Sequence, residues 1–438
     1  MKTKILLSFL SLGLFIACSD SDDSTKSKIA HMDIGDASTL FIAPNDINAT
    51  RGSDYMPGQK VLFKITTDGV IKQVTYRDDN GKEVTEEYEP GNIIFVDDSP
   101  YFFVKFDGYY IVNKQTGAVY PSLNIEQDEE YLPQIGQTVQ NGPIKFANEK
   151  RIKSDNRGNI YYSDHHSSGL NTIHKIDVSD INQLTDETLT PENDKVSMYV
   201  VSGNGELLYR YYRDGEWYQR LRTKSGRLIP FQIMGEYSGN DFLAWRGLDD
   251  NIHVFDRRAV SIIKFKGNDD YEVEDIIVDT CTIHGKTPNC IHNTVYALRP
   301  YPYLIKLSDR YIAFGAEGGA LIIDSKDRSL ITGEIHHVTD MKINDVQYNG
   351  SYIYCSGQLN GNYAMLRIDP YTFESETVIR DNDYEIYSFV VSNDNSIIFN
   401  GLRLSDAHNI IASIDPSGKV SLLQEVSSST KITLNRLQ

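Results

Sequence analysis

Residues 386–424 read IYSFVVSNDNSIIFNGLRLSDAHNIIASIDPSGKVSLLQ, and this stretch carries the pattern that decides the fold. Its apolar or alternating runs are short enough for strands: Ile386–Val391, Ser396–Asn400, Ile410–Asp415 and Val420–Gln424. Tight-turn residues separate the first two runs at Ser392–Asn395 and the last two at Asp415–Gly418. Such punctuation is typical of hairpins. The stretch therefore predicts four antiparallel strands, which we call A to D, with short A–B and C–D turns.

The same unit recurs along the chain. Its A–B turn returns at Asp97–Pro100, Asp155–Gly158, Ser202–Gly205, Asp249–Asn251, Ser308–Arg310 and Tyr348–Ser351. Its C–D turn returns at Thr67–Gly69, Gln115–Gly117, Lys224–Gly226 and Ser325–Asp327. Where connections are short, the spacing is about the 40–45 residues of a propeller blade. We predict an all-β protein, a β-propeller of eight four-stranded blades. Seven blades, or two β-sandwiches in tandem, are the alternatives.

The two ends of the chain suggest how the ring closes. Thr39–Ala43, Val61–Ile65 and Ile71–Tyr76 fit strands B, C and D of a first unit that lacks strand A, and Lys431–Asn435 is a strand left over at the end. Pairing them would hide two exposed sheet edges. The unit at Gly158–Asp177 resembles a blade of the NHL or quinoprotein-like propellers, in architecture and not in signature motif.

The N-terminus reads as an export signal. Lys2 and Lys4 precede an apolar run, Ile5–Ile16, which is too short to span a membrane. Leu14–Cys18 resembles a lipobox, which implies a lipidated Cys18, and Ser19–Asp23 resembles the acidic export tag of Bacteroidetes surface lipoproteins. An ordinary secretory signal is the alternative. We expect a signal peptide over residues 1–17, a polar tether over 18–37 and one propeller domain over 38–438. The resemblance implies a lipid anchor in the outer membrane, on the cell surface or the periplasmic side.

Composition excludes some classes of function. The chain has 438 residues, with 61 Asp+Glu against 43 Lys+Arg, and a formal net charge of -18. Nucleic acid is therefore not an expected partner, because phosphate binding needs clustered positive charge. The 28 Tyr and 17 Phe suit many half-buried strands.

The long connections predict a binding face. They fall in B–C loops at Asn45–Gln59, Asp164–Asn171, Gly357–Tyr363 and Leu402–Asn409, and in D–A loops at Arg77–Gly91, Ser122–Gly142 and Thr280–Asn293. Both loop types lie on one face of a propeller, which we call the loop-rich face, and long loops on a rigid scaffold commonly carry function. The candidate binding residues on this face are Arg51, Asp54, Tyr55, Asp164, His165, His166, His284, His292 and His408.

Specific chemistry is harder to assign. His165, His166 and His408 are weak metal candidates, and a solvated polar loop is the simpler reading because neighbouring side chains in an extended segment point apart. Cys281 and Cys290 fit a loop-pinning disulfide, with a zinc site that includes His284 and His292 as the alternative. Cys355 fits a buried thiol. No cofactor is identified, and a divalent metal is left open.

One aromatic run has two interpretations. Tyr209–Arg213, with Trp217, could stack on a sugar or peptide, but alternating aromatic residues in strands are commonly core and cross-strand pairs. No nucleotide-binding, hydrolase-elbow, zinc-protease or EF-hand motif is present in the sequence, so no catalytic residue can be named.

These observations favour binding over catalysis. We expect a lipid-anchored propeller that binds a macromolecular partner or glycan through the loop-rich face. A polysaccharide hydrolase or lyase that uses histidines and carboxylates on that face is the alternative. In size, anchor and blade count the protein is similar to the propeller lipoprotein of the outer-membrane protein assembly machinery.

Overall fold

A computed structural model describes residues 28–45, 58–84, 88–96, 99–106, 109–123, 144–145, 152–163, 172–180, 184–191, 195–231, 243–256, 259–277, 303–308, 310–314, 319–324, 336–337, 339–379, 383–426 and 432–437. Over these ranges all regular secondary structure is β-strand. In the same ranges, no helix has the length and apolar character needed to cross a membrane.

The first strands build one blade, and residues 28–36 before it form a short segment that we call the strap. In chain order they are β1 (His31–Met32), β2 (Ala37–Pro44), β3 (Lys60–Thr66), β4 (Ile71–Gln73) and β5 (Tyr76–Arg77). Strands β2, β3 and β4 pair in sequence, while β1 pairs antiparallel with β5.

Seven further sheets follow, each with its successive strands paired antiparallel. Blade 2 contains β6–β9, at Asn92–Phe95, Tyr101–Lys105, Tyr109–Asn113 and Val119–Leu123. After the short strand β10 (Ile144–Lys145), blade 3 contains β11–β14, at Lys153–Ser154, Ile160–Ser163, Ile173–Asp177 and Thr185–Thr188. Blade 4 contains β15–β18, at Lys195–Val201, Leu207–Arg213, Glu216–Arg222 and Leu228–Phe231. Blade 5 contains β19–β22, at Leu243–Arg246, Ile252–Asp256, Ala259–Gly267 and Asp270–Ile277.

The last three blades keep the pattern. Blade 6 contains β23–β26, at Tyr303–Lys306, Arg310–Phe314, Gly319–Asp324 and His336–His337. Blade 7 contains β27–β30, at Met341–Tyr348, Ile353–Leu359, Asn362–Ile368 and Ser375–Ile379. Blade 8 contains β31–β34, at Tyr384–Val391, Ile397–Arg403, His408–Ile414 and Val420–Val426. Strand β10 adds a fifth strand to blade 6 by pairing with β23, which the four-strand pattern did not predict.

The final strand closes the ring. Strand β35 (Asn435–Arg436) pairs antiparallel with β2, opposite Leu40 and Thr39, so that the first sheet has the order β35-β2-β3-β4. The chain therefore folds as an eight-bladed propeller whose first blade is completed by the C-terminus. This confirms the predicted fold and its closure, and the seven-blade alternative is wrong. The closing strand is shorter than the predicted strand Lys431–Asn435 and begins at the last residue of that range.

The core lies between neighbouring blades. Tyr161 and Ile173 of blade 3 pack in one buried cluster with Tyr209 of blade 4, and Leu208 of blade 4 packs with Ile252 of blade 5. One sheet therefore packs against a neighbour on each side, as propeller blades do. Two separate sandwiches would not give this pattern.

The A–B turns also join blades. The Asn156 N–H donates to the Gly203 carbonyl at 3.0 Å, and the Gly203 N–H donates to the Asp250 carbonyl at 2.9 Å, which links blades 3, 4 and 5. The Asn349 side-chain amide does the same between blades 7 and 8, to the Ser392 carbonyl at 3.1 Å. The turn residues that revealed the repeat thus also hold adjacent blades together.

Two of the predicted loops are shorter than expected. The predicted B–C loop Gly357–Tyr363 is almost entirely strand, because β28 and β29 continue to a two-residue turn at Asn360 and Gly361, both with positive φ of 51° and 83°. Turns of this kind match the twist of a hairpin. The predicted loop Leu402–Asn409 shrinks likewise to the residues between β32 and β33. Blades 7 and 8 therefore contribute less chain to the loop-rich face than expected.

The strap begins within the predicted tether. Ile29, Met32 and Ile34 are buried, so the packed domain starts about ten residues before the expected boundary at residue 38. The Met32 N–H donates to the Gly117 carbonyl of blade 2, and the Asp33 N–H donates to the Thr75 carbonyl of blade 1. The strap therefore joins the outer edges of these two blades.

Candidate binding site

Most of the candidate residues chosen from the sequence lie outside the described residues. They are Cys18, Arg51, Asp54, Tyr55, Asp164, His165, His166, Cys281, His284, Cys290 and His292. His408 is described, and it begins β33 at the B–C end of blade 8, on the loop-rich face. Cys355 is a buried free thiol, as predicted, and burial raises its pKa.

His408 belongs to a small ionic cluster. Its Nδ1 atom lies 3.5 Å from Asp406, and Arg403 pairs with both Asp406 and Glu425. The Arg403 hydrogen bond lowers the pKa of Asp406 to about 2. Because a guanidinium already neutralises these carboxylates, they are poor ligands for a cation. Across the described ranges, no group of three or more His, Cys, Asp or Glu side chains could hold a metal ion.

The best-defined surface feature is the β16–β17 hairpin of blade 4. Its turn consists of Asp214 and Gly215, both with positive φ, at 52° and 91°. These values are those of the two-residue turn that suits a twisted hairpin. The turn joins strands B and C, so the tip of the hairpin lies on the loop-rich face.

Two aromatic cross-strand pairs stand directly behind this turn. Tyr211 is opposite Tyr218, and Tyr212 is opposite Trp217. The first pair stacks with ring centroids 5.5 Å apart, and the second is tilted at 5.1 Å. Cross-strand aromatic pairs stabilise a hairpin, so the rings hold one another in place.

Part of this aromatic set is exposed. Tyr209 and Tyr211 are buried against blade 3, which confirms the core interpretation for them. Tyr212, Trp217 and Tyr218 are 37%, 36% and 40% exposed. They are three of eight exposed large apolar side chains in the described residues, and the others are scattered over four blades. Because neighbouring strand residues point to opposite faces, Tyr212 and Trp217 share one face of the hairpin and Tyr218 lies with Tyr211 on the other. The Tyr212–Trp217 pair therefore forms a compact exposed apolar surface, which marks an interaction site more often than a single exposed ring does.

Arginines flank the rings. The Arg210 guanidinium lies 4.3 Å from the centre of the Trp217 ring, and Arg220 lies 4.5 Å from that of Tyr211. Residues 207–222 contain four Arg against one Asp and one Glu, in a chain with a net charge of -18. The hairpin is therefore locally cationic, and the cation–π contacts add to the fixing of the rings.

A hydrogen bond governs the state of the outermost tyrosine. The Tyr218 hydroxyl donates to Glu216 at 3.1 Å. This bond and the Glu216 charge raise the pKa of Tyr218 above its ordinary value. The tip of the hairpin thus offers flat rings, a hydroxyl, carboxylates and guanidinium groups within a few residues.

A second polar cluster lies in blade 3. The Nε2 atom of His174 is 2.9 Å from Thr172 Oγ1, and its Nδ1 atom is 3.2 Å from Asp186 Oδ1. Tyr162 stacks on the imidazole and donates its hydroxyl to Asp186 Oδ2 at 2.6 Å. Thr172 directly follows the B–C connection, so this cluster also reaches the loop-rich end of its blade.

Sequence reasoning missed much of these two clusters. Tyr218 and Arg220 were not singled out from the sequence. They are two residues apart in a strand and therefore share a face. The turn four residues before Tyr218 would have placed that face beside Tyr211. Thr172 directly precedes strand C and lies two residues before His174, so the two share a face, but Asp186 and Tyr162 join them only through strand pairing.

Comparison with known proteins adds little about activity. No protein-family model matches the chain, and no curated protein is similar to it in sequence. Among solved structures, an oligogalacturonate lyase from Vibrio parahaemolyticus is 10% identical over 93% of this chain and 88% of its own, with a TM-score of 0.37. TolB from Acinetobacter baumannii is 10% identical over 85% and 81%, with a TM-score of 0.30. Oligopeptidase B from Trypanosoma brucei is 11% identical over 78% and 49%, with a TM-score of 0.40.

Proposed function

We propose that this propeller is a lipid-anchored binding protein of the cell envelope that takes a glycan on its loop-rich face, with the β16–β17 hairpin of blade 4 as a main contact. The exposed pair Tyr212 and Trp217, with Arg210 against the Trp217 ring, is the observation that carries the proposal.

Sugar rings suit such a surface. One face of a pyranose presents C–H groups, and placing it on an aromatic ring removes apolar area from water at about 25 cal/mol per Å². The sugar hydroxyls can meanwhile bond to charged or polar neighbours. Because Tyr212 and Trp217 already pack on each other, little side-chain freedom is lost on binding.

The position of the strap is compatible with anchoring. The tether from Cys18 would reach the ring at the outer edge of blades 1 and 2, where Ala30 bonds to Arg77 and Val119. Blade 3 separates this edge from the hairpin, so an anchor on the strap leaves the proposed binding surface clear. A lipid anchor in the outer membrane therefore fits with a ligand approaching blade 4.

The test is glycan binding by ring-deletion variants. Affinity electrophoresis against a panel of neutral and uronic-acid polysaccharides would identify a ligand for the unaltered chain. We expect Trp217→Ala to weaken its binding about tenfold or more, since a stacked anchor residue commonly contributes at least 1–2 kcal/mol. Tyr212→Ala should act in the same direction.

Tyr371→Ala is the matched control. Tyr371 is 50% exposed and lies in the turn between β29 and β30, a C–D turn on the opposite face. Its removal should leave glycan affinity unchanged. Retention of full affinity by Trp217→Ala, or the absence of binding to every polysaccharide, would contradict the proposal.

A further inference from the structure

The polar cluster of blade 3 has the order of a nucleophile, a base and an orienting acid. An acceptor carboxylate at Nδ1 of an imidazole fixes the proton there and leaves Nε2 as the acceptor. In blade 3 the carboxylate is Asp186 and the group at Nε2 is the hydroxyl of Thr172. The Thr172 hydroxyl therefore donates to His174, which is the arrangement that activates a hydroxyl nucleophile.

Tyr162 and Asp186 together fix the position of the His174 imidazole. Tyr162 covers one ring face, with centroids 5.0 Å apart and planes 21° from parallel. Its hydroxyl also bonds to the second oxygen of Asp186 at 2.6 Å, so the carboxylate cannot rotate away from His174 without losing that bond. Locking of this kind is what a positioned base needs.

The molecule contains a contrasting pair. His253 lies 2.9 Å from Asp249, but this contact uses Nε2, and the ring packs against Trp245. Histidine–carboxylate contacts thus occur at His174, His253 and His408 in the described residues. At His174 the contact extends to the Thr172 hydroxyl at the opposite ring nitrogen.

We propose that Thr172, His174 and Asp186 form an ester-hydrolysing site, with O-acyl groups on a glycan as the class of substrate. The site goes beyond binding, and it stands on different residues from the hairpin. Thr172 lies at the loop-rich end of blade 3, on the side of the sheet where Tyr162 packs towards blade 2. The proposed glycan surface lies on the next blade, so a glycan that reaches both sites would run across the loop-rich ends of blades 3 and 4.

The reaction balances without a cofactor. Thr172 Oγ1 bonds to the ester carbonyl carbon as its proton passes to His174 Nε2, and the ester C–O bond then breaks as His174 returns that proton to the leaving alcohol oxygen. Water next attacks the acyl carbon and gives a proton to His174, which passes it to Thr172 as the acyl–oxygen bond breaks. One ester and one water become one acid and one alcohol.

The burial of Thr172 is expected to limit the rate of this reaction. Thr172 is 2% exposed, so its hydroxyl must become accessible before it meets an ester. Turnover of a small ester should therefore be slow but should go through a covalent acyl group on Thr172.

The experiment uses the full chain and para-nitrophenyl acetate. We expect acetylation of Thr172, located by peptide mass spectrometry, and ester hydrolysis that falls at least about a hundredfold in His174→Gln and in Thr172→Val. Thr172→Ser keeps the hydroxyl and should keep both hydrolysis and the covalent acetyl group. His253→Gln, the matched control in blade 5, should behave as the unaltered chain.

The acetyl group distinguishes catalysis from a structural role. If Thr172→Val fails to fold, the comparison of Thr172→Ser with His174→Gln still decides. No acetyl group on residue 172, or equal hydrolysis in Thr172→Ser and His174→Gln, would overturn the proposal. Because glycan binding is measured on the hairpin variants, its failure would be seen separately.

Discussion

At the scale of single residues, Lys64 shows how burial determines how much an ion pair stabilises the fold. Its side chain is only 3% exposed, yet its amino group reaches Asp33 at 3.1 Å and Asp36 at 2.5 Å, both on the strap. Burial alone would lower the pKa of Lys64, but the bonds to Asp36 and Asp33 outweigh it and raise the pKa. The Lys64 bond in turn lowers the pKa of Asp36.

We expect the double variant Asp33→Asn/Asp36→Asn to lose about 3 kcal/mol of unfolding free energy at pH 7, because it leaves a buried ammonium without a carboxylate. The contribution of Asp36 is present above its ordinary pKa near 4 and is lost as pH falls through the lowered value. The contribution of Lys64 is lost only as pH rises through its raised pKa, above about 10.4. Urea unfolding should therefore show a difference from the unaltered chain that shrinks towards pH 3.

Glu272→Gln is the control for this prediction. Glu272 pairs with Lys266, and both side chains are 54% exposed. Water screens such a pair, so the loss should be far smaller than that of the double variant. An equal effect of the two changes would show that the burial of Lys64 has no consequence.

At the scale of elements, blades 7 and 8 share a bulge facing a glycine. The inner strands shift register between Ile343 and Asp345 and between Ile386 and Ser388. Opposite these bulges stand Gly357 and Gly401, where a Cβ would lie 2.0 Å from the Lys342 carbonyl oxygen and 2.5 Å from that of Glu385. The bulge brings backbone against backbone, and only glycine leaves room for it.

Gly357→Ala should therefore cost about 3 kcal/mol, because the new methyl group meets backbone that cannot turn aside. Gly361 in the same hairpin has a φ of +83° and nothing within 4 Å of a built Cβ, so Gly361→Ala should cost only about 1 kcal/mol. Thermal unfolding of the two variants measures the difference. The reverse order of stability would contradict the role of the bulge.

The sequence predicted strands and turns better than it predicted contacts between distant parts of the chain. Turn residues such as Asp155 and Ser392 marked strand ends because local hydrogen bonding makes turns, and local chemistry is visible in a sequence. The strap and β10 were missed, since two-residue strands have no periodicity and depend on partners elsewhere in the chain. In the site, Trp217 was noticed but its exposure was not predictable, because burial depends on how far the hairpin extends beyond its neighbours.

At the scale of the whole molecule, stability depends on the last residues of the chain. Ile432 and Leu434 are buried in the core between blades 8 and 1, and the Leu434 N–H donates to Ser388 at 3.0 Å. The Leu437 N–H then reaches the Ser38 carbonyl at 2.9 Å, so this segment joins the final blade to the first.

We expect Leu434→Ala to lose about 3 kcal/mol of unfolding free energy, the usual cost of a cavity in a packed core. Leu422→Ala, on the outer strand β34 where the side chain is 49% exposed, should cost less than about 0.5 kcal/mol. Equal melting temperatures for the two variants would mean that ring closure does not stabilise the propeller.

Tryptophan fluorescence tests the proposed binding surface most directly. The chain has only two Trp, and they differ in environment: Trp217 is 36% exposed on the hairpin and Trp245 is 3% exposed in blade 5. Trp245→Phe leaves Trp217 as the single reporter, and Trp217→Phe leaves Trp245. On titration with the glycan found by electrophoresis, we expect a saturable emission change in the Trp217 reporter and none in the Trp245 reporter. A response from Trp245 alone would contradict binding at the blade 4 hairpin.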